Sequence, residues 1–192
     1  IISGEDITAA DCGSCHTRGD DDNVVLASGD FIRHHEQYPE MLAGAHAVFD
    51  VAFGGCGGCH QGHIGRSEGW TAVNSCENCH AGEAADYAGS SMHEEGVKCI
   101  DCHMGRATKS ARANGPYEGD VWTHLFRIET DADYDMFERD MDGNSVAVFK
   151  DADGEGALSL EYACFRCHAD ADKADYAAIA DGGDGAYHML GK

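Results

Sequence analysis

Apolar positions in this chain are few, and they come in short runs separated by Gly- and Asp-rich stretches. Where they recur regularly they predict short elements. Pro39 can open a helix over 39–49 (PEMLAGAHAVF), because proline is tolerated in a first turn. The Ala-rich runs 83–93 and 171–180 predict two further short helices, the second acidic at its start as the helix dipole favours. A helix is also expected through 158–168 (LSLEYACFRCH). The alternation in 144–150 (NSVAVFK) predicts a strand that turns at 151–156 (DADGEG) towards 157–160. The expected fold class is therefore mostly irregular loops with short α-helices and few strands, in one domain over 1–192.

Composition makes such a chain hard to fold by side chains alone. Leu, Ile, Val and Phe make up 30 of 192 residues and the formal charge is −22. A large-apolar fraction below about 20% at high net charge is what disordered chains show. A Leu/Ile/Val core is excluded as the main source of stability, so other apolar material has to supply one. No run approaches the roughly 18 apolar residues of a membrane helix. The start, IISGEDIT, has neither a basic nor an apolar leader region and is read as a mature N-terminus with its signal removed. With 35 acidic against 13 basic residues, nucleic acid and anionic membrane are poor partners.

The cysteines identify the missing material. All ten fall in five Cys-x-x-Cys-His motifs: Cys12, Cys15 and His16; Cys56, Cys59 and His60; Cys76, Cys79 and His80; Cys99, Cys102 and His103; Cys164, Cys167 and His168. Two thiols three positions apart lie on one side of a helical turn and can both add to the vinyl groups at one haem edge. The following His then supplies the proximal nitrogen to iron. Zinc would combine Cys-x-x-Cys pairs into tetrahedral sites, which leaves one of five pairs over and gives no reason for the His. A disulfide framework would spread its cysteines between distant loops. Five haem c groups are the expected cofactors, with the chain wrapped around them as a stacked row. Because such groups are attached after export, the expected location is secreted, extracellular or periplasmic.

Seven further histidines can close the distal faces: His34, His35, His46, His63, His93, His124 and His188. His46 and His93 precede the second and fourth motifs closely, His63 follows the second, and His124 sits in the apolar run 121–128. His188 can serve a haem at the far end or in another subunit. His34 and His35 are adjacent and supply one ligand between them, taken as His35 with His34 the alternative. Six Met offer a competing ligand type that raises potential. With His in surplus and all five motifs keeping their own His, five closed haems are expected and no catalytic one. The protein is thus expected not to be an enzyme.

Gaps between motifs, counted from the first Cys, are 44, 20, 23 and 65 residues, so no haem can lie far from the next. Residues 151–156 also resemble the start of a calcium loop, with acids at the first, third and fifth places and Gly at the sixth. The twelfth place is Tyr162 rather than Glu, which favours a solvated turn. Asp140, Asp142 and Asn144 repeat the pattern more weakly.

The ordered set His34-His35-Glu36-Gln37-Tyr38 with His46, then CHQGH (59–63), 92–111, 119–128 and 159–168, resembles a family of bacterial and archaeal extracytoplasmic multihaem cytochromes. The resemblance runs from residue 34 to about 168 and implies ligand roles for His35, His46, His93 and His124. Gly105 stands where that family often has Pro. Relatives in the family include secreted cytochromes that polymerise into filaments, some with a His donated to the neighbouring subunit, and soluble periplasmic carriers. The implied function is electron transfer as a filament subunit, with a monomeric shuttle to a terminal reductase as the alternative. The implied partners are other copies of the chain, redox proteins and extracellular electron acceptors.

Overall fold

The computed structural model describes residues 8–19, 21, 23–47, 55–60, 75–169 and 172–180. Its helices are all short. They are α1 (Ala9–His16), α2 (Gln37–Ala43), α3 (Ala81–Tyr87), α4 (Ser91–Glu94), α5 (Cys99–His103) and α6 (Lys173–Ala180), with 3₁₀ turns at Gly55–Gly58 and Cys76–Asn78 and a π turn at Glu161–Phe165. No helix among the described residues is long and apolar enough to cross a membrane. The first and fourth motifs lie wholly within α1 and α5, and the other three have their first Cys on a 3₁₀ or π turn. Thr8 starts α1 with a reciprocal cap, its backbone N–H donating to Asp11 at 2.8 Å.

Several expected elements shift on inspection. The helix read over 39–49 begins earlier, at Gln37, and ends at Ala43, where Gly44 packs so tightly that a Cβ would meet the carbonyl oxygens of His124 and Leu125 at 2.7 and 2.6 Å. The run 83–93 breaks into α3 and α4 because Ser90 caps the second piece, accepting from the His93 N–H at 3.2 Å.

Strands are equally brief. β1 (Ala27–Ser28) pairs antiparallel with β2 (Phe31–Arg33), which pairs parallel with β3 (Thr108–Lys109). β4 (Phe137–Arg139) and β5 (Ser145–Val148) form a bulged hairpin that joins the first sheet through a bridge between Leu26 and Ala147. Between them lies a side-chain core of Val25, Phe31, Ile32, Leu125, Met136, Phe137, Val148, Leu158 and Tyr162 with small alanines. A conventional core therefore does form, built from Met, aromatics and Ala as much as from branched aliphatics. It lies beneath the segment 121–128, whose ends are pinned by bridges from Val121 to Thr108 and from Ile128 to Leu158.

Candidate haem-ligating site

The structure brings three motif imidazoles beside three others. Ring centres of His16 and His35 are 6.4 Å apart, those of His80 and His46 5.9 Å, and those of His60 and His124 6.0 Å. Two imidazoles bound on opposite sides of one metal ion by bonds of about 2 Å have ring centres roughly 6 Å apart once each ring's own half-width is added. All three separations match that figure. The spacing would leave room for a metal ion between the rings at the first, second and third motifs.

Each ring is placed by its local fold. His16 ends α1, and its Nδ1 lies 3.4 Å from the Gln37 side-chain oxygen. His35 sits in the turn after β2 with φ +67°, a left-handed conformation that re-aims its ring towards α1. Its neighbour His34 turns elsewhere: Arg18, which can only donate, bonds to His34 Nε2 at 2.6 Å. His46 follows α2 and is held near the 121–128 segment by the Ala45 N–H, which donates to Leu125 at 3.1 Å. His124 is carried by that segment beside the core. His103 donates from Nδ1 to the Phe126 carbonyl at 2.9 Å, which leaves its Nε2 as the unprotonated nitrogen.

Burial lowers three of these rings below the ordinary imidazole range. Burial first, then the His60 and His16 rings, lowers His124 to about 4, and its Nδ1 is buried with no hydrogen-bond partner. His60 is lowered by burial and then by His16, and His46 by burial, His80 and His103. Neutral imidazoles present a free lone pair. None of the ten cysteines is paired in a disulfide. Burial pushes the Cys102 thiol up to about 11 and the Cys164 thiol up to about 12.

Neighbouring motifs lie within electrostatic reach of one another in chain order. His16 acts on His60, Cys76 and Cys79 on Cys59, Cys76 on Cys99, and Cys167 on Cys102. An ion pair welds the last two: Arg166, inside the fifth motif, donates to Asp101, inside the fourth, at 3.1 Å. Gly105 makes this contact close, since a Cβ there would fall 2.5 Å from the Tyr162 carbonyl oxygen.

Not every candidate falls into a pair. His93 packs against Tyr87 at 5.5 Å and His168 against Tyr176 at 5.2 Å. His63 and His188 lie outside the described residues. The acidic turn at 151–156 holds a cation of its own: the Arg127 guanidinium lies 2.9 Å from Asp151 and 3.0 Å from Glu155, and Asp151 also takes the N–H groups of Asp153 and Glu155. The turn that resembles the start of a calcium loop is an Asx turn whose carboxylates face Arg127. The Asp140 turn closes in the same way on Asp142 and Asn144.

The sequence reading missed Glu40. It is fully buried on α2 and gathers the Thr108 hydroxyl at 3.3 Å, the Thr123 hydroxyl at 2.7 Å and the His124 N–H at 2.5 Å. It ties the segment that carries His124 to α2 and β3. The only signal for it was a carboxylate inside an apolar helical run.

No protein-family model matches the chain, and no curated protein matches it. Among solved structures it resembles the Wolinella succinogenes octaheme sulfite reductase MccA, form II, at 15% identity with a TM-score of 0.57. The match covers 71% of this chain and 26% of the reductase, so the chain spans about a quarter of that protein's length. At this identity the likeness is one of fold. It corrects the expectation that the protein is not an enzyme: the fold it shares is one that a reductase uses, and retained motif histidines do not exclude catalysis.

Proposed function

We propose that this protein transfers electrons through haem c groups held at its five Cys-x-x-Cys-His motifs. The carrying observation is the set of three opposed imidazole pairs at metal-ligand spacing, with the motifs in mutual reach in chain order. When bound, the haems supply one-electron chemistry. The protein's own contribution is to fix His16 against His35, His80 against His46 and His60 against His124, to hold His46, His60 and His124 below the ordinary imidazole range by burial, and to hold the fourth and fifth motifs together through Asp101 and Arg166. The fold shared with an octaheme protein supports the cofactor type. Intact mass of the exported protein tests it, with a gain of five haem masses expected and an unmodified polypeptide overturning it.

Copies of the chain assemble into an extracellular filament that conducts to redox proteins or external acceptors. The family resemblance and the unbroken succession of motifs support this. Negative-stain microscopy should show fibres, whereas discrete particles at every concentration would leave the monomeric shuttle as the working form.

A second reading, a site that binds and reduces a small molecule, is favoured by His168, which faces Tyr176 rather than an imidazole among the described residues. Cyanide binding at the fifth motif would support it, and a fully low-spin, cyanide-inert protein would end it.

A further inference from the structure

We propose that the cavity beside β2 is an oxyanion-binding site, serving a carboxylate, sulfate or phosphate group. It encloses about 300 Å³ and is lined by Arg18, Arg33, His34, Lys109, Ser28 and Phe31 among others. Three of the chain's 13 basic residues thus converge on one hollow in a protein of net charge −22.

The fold forces these cations together. Arg33 and Lys109 are register partners in the parallel pair of β2 and β3. Like charges directly opposite across strands are destabilising unless something between them is negative. The Lys109 ammonium is held 4.8 Å from the Phe31 ring centre, and Arg18 is fixed by its bond to His34. Both heads are therefore positioned in advance.

No carboxylate among the described residues forms an ion pair with these three cations, although the charges of Arg18 and Arg33 and the Arg18 backbone N–H act on Glu36. Among the described residues Arg127, Arg139, Arg166 and Lys173 each have an acidic partner within 4.0 Å, and Arg18, Arg33 and Lys109 have none. Glu36 and Asp120 are the carboxylates that act on this group of side chains. Glu36 is buried and turned to the Leu26 N–H at 3.5 Å, and Asp120 accepts from the Ser110, Ala111 and Arg112 N–H groups at 2.7–3.2 Å. Arg and Lys facing solvent across an open hollow suit an oxyanion, which accepts several charge-assisted hydrogen bonds at once.

The position adds a consequence. His34 and His35 have ring centres 4.8 Å apart, and His35 faces His16. An anion in the cavity sits one ring away from the first imidazole pair and favours the oxidised state there. By linkage, the oxidised protein binds the anion more tightly than the reduced. Two sources share this chemistry: a propionate of the haem attached at Cys12 and Cys15, which rests on the function proposed above, or a free inorganic oxyanion.

Calorimetric titration of the mature protein with sodium sulfate, in wild type and in Arg33→Gln/Lys109→Gln, tests the site, together with potentiometric titration of both proteins. A free-anion site binds sulfate in wild type and weakens by about tenfold or more in the variant, as loss of charge-assisted hydrogen bonds does. A propionate site gives no sulfate binding, but the potential of one haem falls in the variant as its positive neighbours are removed. Equal behaviour of the two proteins in both titrations overturns the proposal. Sulfate binding reads the cavity even if the mass measurement finds no haem, so failure of the one claim is distinguishable from failure of the other.

Discussion

The backbone carbonyl of Phe126 accepts the Nδ1 proton of His103 at 2.9 Å, while the Phe126 ring meets His46 edge-on at 4.3 Å and His124 at 5.9 Å. One residue thus touches histidines assigned to the second, third and fourth motifs. It does so from a left-handed backbone conformation, φ +64°, which bulky residues rarely adopt. Phe126→Leu keeps the carbonyl but removes the ring edges. It should cost about 1–2 kcal/mol in denaturant unfolding. It should also alter the electron paramagnetic resonance signals of the irons assigned to His46 and His124, leaving that of His16 and His35 unchanged. A uniform change across all signals would deny Phe126 its local role.

The Asp101–Arg166 pair joins two motifs 65 residues apart, with side-chain exposures of 24% and 15%. Arg166→Gln should destabilise by about 1–3 kcal/mol, the range for hydrogen bonds to charged groups. A double-mutant cycle with Asp101→Asn should recover a favourable coupling. Additive losses would mean that the contact is incidental.

Gly105→Ala places a methyl against the Tyr162 carbonyl, a backbone atom that cannot move aside as a side chain would. A loss of about 1–3 kcal/mol is expected from overpacking. Gly82→Ala is the contrast, since it meets open space within α3 and should be neutral or gain about 0.5–1 kcal/mol in helix propensity. Thermal unfolding of the two variants should move in opposite directions or show only the first as harmful.

Glu40 sets a pH dependence. Burial raises it to about 8 from an ordinary 4.5, against the opposing hydrogen bonds of Thr123, His124 and Thr108. The folded state therefore holds this proton more tightly than the unfolded chain. Its contribution is complete below about 4.5 and is lost as pH rises through about 8, on the order of a few kcal/mol. Glu40→Gln should flatten that slope in unfolding measured between pH 5 and 9. An unchanged slope would place the proton elsewhere.

What the sequence made legible was local chemistry. Five motifs of one form marked ten cysteines and five histidines, and among the spare histidines three lie beside motif histidines in the structure. The sequence took His35 over its neighbour His34 but offered no geometric reason; the left-handed backbone at His35, which sets its ring beside His16, leaves no trace in sequence. Arg127 hid the nature of the 151–156 turn, since the cation that fills it comes from 24 residues earlier. Glu40 and Phe126 were equally invisible: their roles arise only when α2 packs against the 121–128 segment, and long-range packing leaves no periodic trace in an apolar-poor chain. The side-chain core went unforeseen for a related reason, because Met136, Phe31, Phe137, Tyr162 and small alanines share it with five branched aliphatics, while composition rules weigh the aliphatics and Phe alone.

Low-temperature electron paramagnetic resonance of the oxidised protein, in wild type and in His35→Ala, His46→Ala and His124→Ala, tests the opposed imidazole pairs most directly. Each substitution should convert one low-spin iron to high-spin, a different one each time, with the intact mass otherwise unchanged. Spectra that stay the same in all three variants would contradict ligation by these histidines and, with it, the paired arrangement on which the proposed electron transfer rests.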